Sequence, residues 1–213
     1  MALVTLPPSR RIDDAARRAR PVALAHERAL PLAGELGALV PGARLRRGSV
    51  TTVEGGLGSG ATSVMLRLVA AATTAGEWTA AVDLAGTLGG LAAGEAGVVL
   101  ERFAVVRRVP PARWSTVVAA LLDGVGLVVA DVPVGLRAGD ARRLVARARE
   151  RGTVLVAVGP WPAEAALHLR AEGSVWRGLG RGAGLLADRA LHVQVEGRGA
   201  AVRGTVDRLA EAG

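Results

Sequence analysis

The spacing of hydrophobic and polar positions changes along the chain, and those changes mark its elements. Nearly unbroken apolar runs at 49–54, 79–84, 126–131 and 153–158 have strand length, and stretches of helical period separate them. A strand that is apolar on both faces has to be covered on both. The alternation therefore predicts an α/β fold, a mostly parallel sheet flanked by helices. A further run at 103–106 suggests one more strand. Asp140 is placed to cap a helix whose Leu144, Val145 and Ala148 turn inward while Arg142, Arg143, Arg147 and Arg149 stay in water, with Gly152 as its stop. Toward the end, Leu191, Val193 and Val195 alternate with His192, Gln194 and Glu196, and a second short run follows at 200–206, which predicts a C-terminal β-hairpin. The stretch from 159 to 184 is the least regular, with prolines at 160 and 162 and a glycine-rich run at 178–184.

Ahead of this lies a segment of different character. Arg10, Arg11, Arg17, Arg18, Arg20 and Arg28 surround alanine-rich helical sequence broken at Pro21. The division that follows is a basic N-terminal helical arm, 1–34, and a core, 35–213. A solvated charged face or a contact surface for DNA or a neighbouring subunit both fit the arm.

Composition narrows the classes. All 27 basic residues are Arg, and Lys and Asn are absent, a bias expected of a GC-rich genome. Drift of that kind exchanges Lys for Arg but does not put a methyl group where an ammonium is required. The net charge of +8 favours acidic partners such as nucleic acid. With no cysteine there are no disulfides or thiolate metal sites, and no apolar run is long enough to span a bilayer. The expected location is the cytoplasm.

Candidate chemistry centres on 50–63, where a strand pattern runs into GGLGSGATS and then into a helix predicted over 62–75. Against the phosphate-loop pattern G-x-x-x-x-G-K-[ST], Gly55 and Gly60 take the two glycine positions, Thr62 takes the hydroxyl position, and Ala61 stands where the lysine belongs. Gly58 adds a further bare backbone N–H for wrapping an anion at a helix N-terminus. A hydrogen bond to a charged group contributes roughly 1.5 to 3 kcal/mol, so loss of the lysine weakens any phosphate site by about one to two decades. Arg67 lies too far along the helix to replace it. Asp131 ends the apolar run at 127–131 in the manner of a Walker B carboxylate, able to hold a metal-bound water. Each feature also has a plain structural reading, a strand-to-helix turn kept for packing and a carboxylate at a strand end. His26, His168 and His192 have no metal-ligand spacing, and Ser59 and Ser63 have no placed base.

Residues 48–63, 79–84, 96–103 and 121–131 together resemble the RecA recombinase core in order and spacing, over about 35–206. The entry LVPGARLRRGSV at 39–50 and the short tail most resemble the ImuA-type and SulA-like relatives of RecA found with mutagenic translesion polymerases. The resemblance implies a RecA-like core whose vestigial cofactor-binding residues are Gly55, Gly58, Gly60, Thr62 and Asp131. It also exposes departures. Where RecA carries a water-activating Glu, this chain has Asp83, Leu84 and Ala85, and the strand that leads in RecA to a sensing Gln is followed here by Gly159, Pro160 and Trp161. The expectation is a protein without ATPase activity, with no catalytic residues, no metal and no cofactor beyond the vestige of an ATP site. As an accessory protein in DNA-damage-induced translesion synthesis, its implied partners are an inactive Y-family polymerase-like subunit, an error-prone replicative-type polymerase, RecA itself and DNA. A nucleotide switch completed by a partner and a SulA-like inhibitor of cell division are the alternatives.

Overall fold

The computed structural model describes residues 29–177, 188–197 and 200–207. Most of the expected arm, together with the glycine-rich run at 178–184, lies outside them.

Eight strands form one mixed sheet. In chain order the elements are β1 (Ala29–Pro31), α1 (Gly34–Leu39), β2 (Arg44–Arg46), β3 (Val50–Glu54), α2 (Ala61–Thr74), β4 (Thr79–Asp83), α3 (Gly90–Glu95), β5 (Phe103–Arg107), α4 (Pro111–Gly124), β6 (Leu127–Asp131), α5 (Ala138–Arg151), β7 (Val154–Val158), β8 (Leu167–Arg177), β9 (Asp188–Gly197) and β10 (Ala200–Asp207). The sheet order is β10-β9-β8-β3-β7-β6-β4-β5. From β8 through to β5 every pair is parallel, and β8, β9 and β10 continue as an antiparallel meander. β1 and β2 form a separate antiparallel pair.

Two cores lie on the two faces, because successive residues of a strand point to opposite sides. On one face Val53, Ala81, Val129, Val156, Leu169 and Val193 pack under Leu68 and Val69 of α2. On the other, Val82, Val128, Ala130, Leu155 and Ala157 pack under Trp114, Val118 and Leu122 of α4 and Leu144 and Ala148 of α5. Double coverage explains why β6 and β7 read as continuous apolar runs. α4 opens on Pro111, whose missing N–H is one that a first helical turn leaves unbonded anyway. α5 ends on Gly152 in the left-handed conformation, φ +71°, as its sequence position predicts.

The structure corrects the sequence reading in two places. Asp140 does not cap α5: the helix begins at Ala138, so Asp140 lies in its first turn, paired with Arg143 and favourably placed for the helix dipole. The supposedly irregular stretch after Pro162 contains the eleven-residue strand β8. Its alternation of Leu167, Leu169 and Ala171 with His168, Arg170 and Glu172 was present in the sequence, obscured by the prolines before it and the glycines after it.

Trp114 is fully buried, and its indole N–H has no partner among the described residues. Trp114→Ala should therefore cost about 3–5 kcal/mol in urea unfolding. Trp114→Phe, which also removes the unbonded donor, should cost clearly less. Equal losses for the two variants would mean that the pocket around Trp114 does not accept the smaller ring.

Candidate functional site

β3 ends at Glu54, and α2 begins after a six-residue loop, 55–60, which lies at the carboxyl edge of the sheet, where open α/β folds bind their ligands. Ser59 N–H donates to Gly56 O at 3.1 Å, and Val64 N–H to Gly60 O at 3.0 Å, closing the first turn of the helix. Gly58 and Gly60 have φ of +75° and +97°, a region where a side chain is strained. Leu57 at the loop apex is fully exposed, and Thr62 is exposed in the first turn of α2.

The loop is packed against the antiparallel meander. A Cβ at Gly60 would come within 2.3 Å of Leu191 Cδ2, and one at Gly55 within 2.2 Å of Ser59 Oγ and 3.0 Å of the Ala171 carbonyl. The glycines at both phosphate-loop positions are thus required by contact with β8, β9 and the loop itself. Arg189 of β9 reaches the same place. Its guanidinium lies 3.3 Å from Ser63 Oγ and 3.5 Å from Gly58 O, and 5.1 Å from the ring centre of Trp176. Ala61 leaves the loop without its own cation, and a strand more than 120 residues further along the chain brings one to it. No local pattern in the sequence marked Arg189; only the pairing of β9 with β8 carries it there. Arg67 is turned elsewhere, half-buried in a groove of about 730 Å³ between α1 and α2 that it shares with Glu35. Burial lowers its pKa, Glu35 opposes that shift and Arg189 adds to it.

Asp131 lies at the same edge of the sheet, but β7 separates its strand from β3. Its Oδ2 accepts the Leu84 backbone N–H at 2.9 Å. Burial raises its pKa, the N–H groups of Leu84 and Ala85 partly offset this, and the neighbouring Asp83 raises it further. Asp83 is buried more deeply, yet its pKa is lowered. The cost of burial is outweighed by the N–H groups of Leu88, Thr87 and Gly86, at 3.0, 3.1 and 2.7 Å, and by Arg107 Nε at 3.2 Å. Both carboxylates thus hold the turn 84–88 in place. Asp83 is the more extensively bonded of the two.

The fold brings Gly55, Gly58, Gly60 and Thr62 into one strand-to-helix turn and places Asp131 on the same edge, bonded to another loop. His168 belongs to β8, with Nδ1 2.9 Å from Thr52 Oγ1, and His192 to β9, 3.4 Å from Thr205 Oγ1. Among the described residues no group of three or more His, Asp or Glu is arranged to hold a metal ion, and no helix is long and apolar enough to cross a membrane.

A family model described as the MT3502 N-terminal domain matches residues 38–163, more than half of the chain. The chain belongs to this family. No curated protein matches it. The MT3502 N-terminal domain, as matched, takes in the glycine loop, Ala61, Asp83 and Asp131, and stops short of β8–β10. Arg189, which reaches the loop, and Trp176, against which its guanidinium lies, therefore come from outside the matched region.

The two carboxylates should respond to pH with opposite signs. Because the folded state raises the pKa of Asp131, ionisation there costs stability above the folded pKa, and the cost disappears below about pH 4. Asp131→Asn, which can still accept from Leu84, should raise Tm at pH 7–8, with the gain fading in acid. Asp83, whose pKa is lowered, contributes stability above about pH 4 that is lost as pH falls through its folded pKa. Asp83→Asn should therefore lower Tm at neutral pH and converge with the unmodified protein in acid. Thermal melts between pH 3 and 8 measure both, and a destabilised Asp131→Asn at pH 7 would contradict the assignment.

Proposed function

We propose that this chain is a RecA-like accessory protein that does not hydrolyse ATP and acts through protein–protein contacts in DNA-damage-induced mutagenic translesion synthesis. The fold-level support is a parallel core in which the loop strand β3 is followed through β4–β7 and continued by an antiparallel meander, compatible with the RecA-like order of segments. The observation that carries the reading is how the polar groups of the loop edge are engaged. Ala61 offers no ammonium, Arg189 is directed at Gly58 O and Ser63 Oγ, Asp131 is bonded to Leu84 N–H, and Ala85 stands where the resemblance calls for a water-activating carboxylate. These residues supply neither the loop lysine nor a water-activating carboxylate, and no hydrolytic step is derived from them.

The same edge carries apolar side chains in water. Leu57 and Val134 are fully exposed, at the ends of β3 and β6, and Trp176 is 48 % exposed at the end of β8. Such a rim suits a protein partner better than a charged substrate. The implied partners are an inactive Y-family polymerase-like subunit, an error-prone replicative-type polymerase and RecA, in the cytoplasm. One observation favours a second reading, a nucleotide switch: Arg189 supplies a guanidinium beside the α2 N-terminus, where the loop lacks its lysine.

The adaptor reading predicts that tagged protein from DNA-damaged cells captures a polymerase subunit, and that Leu57→Asp with Val134→Asp lowers both capture and induced mutagenesis severalfold. Unchanged mutagenesis in a deletion strain would sink it. For the switch, titration of the purified protein with labelled ATP decides. The adaptor predicts no binding at millimolar nucleotide and no turnover above background, whereas saturable binding lost in Arg189→Ala would establish the second reading instead.

A further inference from the structure

The edge of the sheet opposite the glycine loop carries a different chemistry. In β2, Leu45 is buried while Arg44 and Arg46 on either side face water. The turn that follows is pressed onto the last turn of α5: a Cβ on Gly48, φ +71°, would lie 3.1 Å from Arg149 Cα and 3.3 Å from Arg149 O. That contact brings the β2–β3 turn and the end of α5 into one surface. Arg142 is seven residues before Arg149 and shares its stripe of the helix, about 10 Å away along the axis. Arg44, Arg46 and Ser49 also line a cleft of about 190 Å³ beside the starts of β3 and β8.

The arginines around this surface differ in how they are neutralised. Arg47 is paired with Glu77, Arg143 with Asp140, and Arg147 and Arg151 share Asp123. Arg44, Arg46, Arg142 and Arg149 form no ion pair with any described residue and are all exposed. Four like charges held on a rigid strip repel one another in the folded state, and an anionic partner would relieve that repulsion.

We infer that this strip binds the phosphate backbone of a nucleic-acid duplex, independently of sequence. A guanidinium fork matches phosphate oxygens, and charges spread over two elements and about a helical repeat of α5 suit an extended polyanion better than a single phosphate group. A membrane surface is disfavoured, because none of the large exposed hydrophobic side chains lies on β2, on the following turn or on α5, so nothing there would insert between lipids. Single-strand recognition draws much of its affinity from bases stacking on aromatic rings, and the strip has none. The surface starts at the opposite sheet edge from the apolar rim and runs along α5 to Arg142, and this inference does not depend on the proposed polymerase partners.

The test is fluorescence anisotropy with a labelled 20-base-pair duplex at several salt concentrations. The unmodified protein should bind with a log–log salt slope that shrinks by about 3 to 4 when Arg44, Arg46, Arg142 and Arg149 are all changed to Gln, since each lost phosphate contact removes roughly 0.9. Affinity at low salt should fall by at least about tenfold. A control that removes unpaired charge at the other edge, Arg108→Gln with Arg113→Gln and Arg137→Gln, should stay close to the unmodified protein, with far-ultraviolet circular dichroism confirming the fold of both variants. No duplex binding by the unmodified protein, an unchanged slope in the fourfold variant, or an equal loss in the control would each overturn the inference. Capture of polymerase subunits by the fourfold variant keeps this outcome separate from that of the adaptor reading.

Discussion

The central strands β7 and β6 are apolar on both faces, and the rest of the molecule is arranged by that constraint. Leu155, Val156 and Ala157 are all fully buried, so consecutive residues of β7 need cover on opposite sides. α2 supplies one layer and α4 with α5 the other. Parallel pairing under two helical layers then sends every strand-to-helix connection of the core to one edge of the sheet, and the glycine loop, the turn 84–88 and the segment after Asp131 meet there as a result.

What happens at that edge depends on the meander. β8, β9 and β10 extend the sheet beyond β3, and β8 and β9 lie so close to the loop that Gly55 and Gly60 have no room for a side chain. A loop with the outline of a phosphate cradle is thereby held by its own chain, through Leu191, Ala171 and Arg189. Nearby, Asp83 and Asp131 are drawn into holding the connection after β4. Arg189, Asp83 and Asp131 thus serve the fold, and Leu57 and Val134 stand exposed at the same edge. From the opposite edge along the outer stripe of α5, Arg44, Arg46, Arg142 and Arg149 face water without an ion pair among the described residues, while Glu77 and Asp123 are paired to Arg47, Arg147 and Arg151.

Much of the architecture was legible in the sequence because local chemistry dictates it. The apolar runs of β3, β4, β6 and β7, the alternation of β9 and the Gly152 stop each follow from the period or conformational freedom of a few neighbouring residues. The outline of the loop at 55–60 was visible for the same reason, as was the absence of an ammonium at Ala61. β8 escaped notice although its alternation was present, since the prolines at 160 and 162 and the glycines after it imitate a loop. Asp140 was misplaced because a good capping residue two positions inside a helix looks the same in sequence as one at its start.

The sequence by itself determined the class of fold, the place of the glycine turn and the loss of its lysine, all of which depend on residues a few positions apart. Tertiary structure alone decided that Arg189 would reach that turn, that Asp131 would bond to Leu84, and that Arg46 and Arg149 would share a surface. Each of those contacts joins residues from different elements far apart in the chain. Their distance is set by strand order and by which faces must be buried, and no local pattern encodes that.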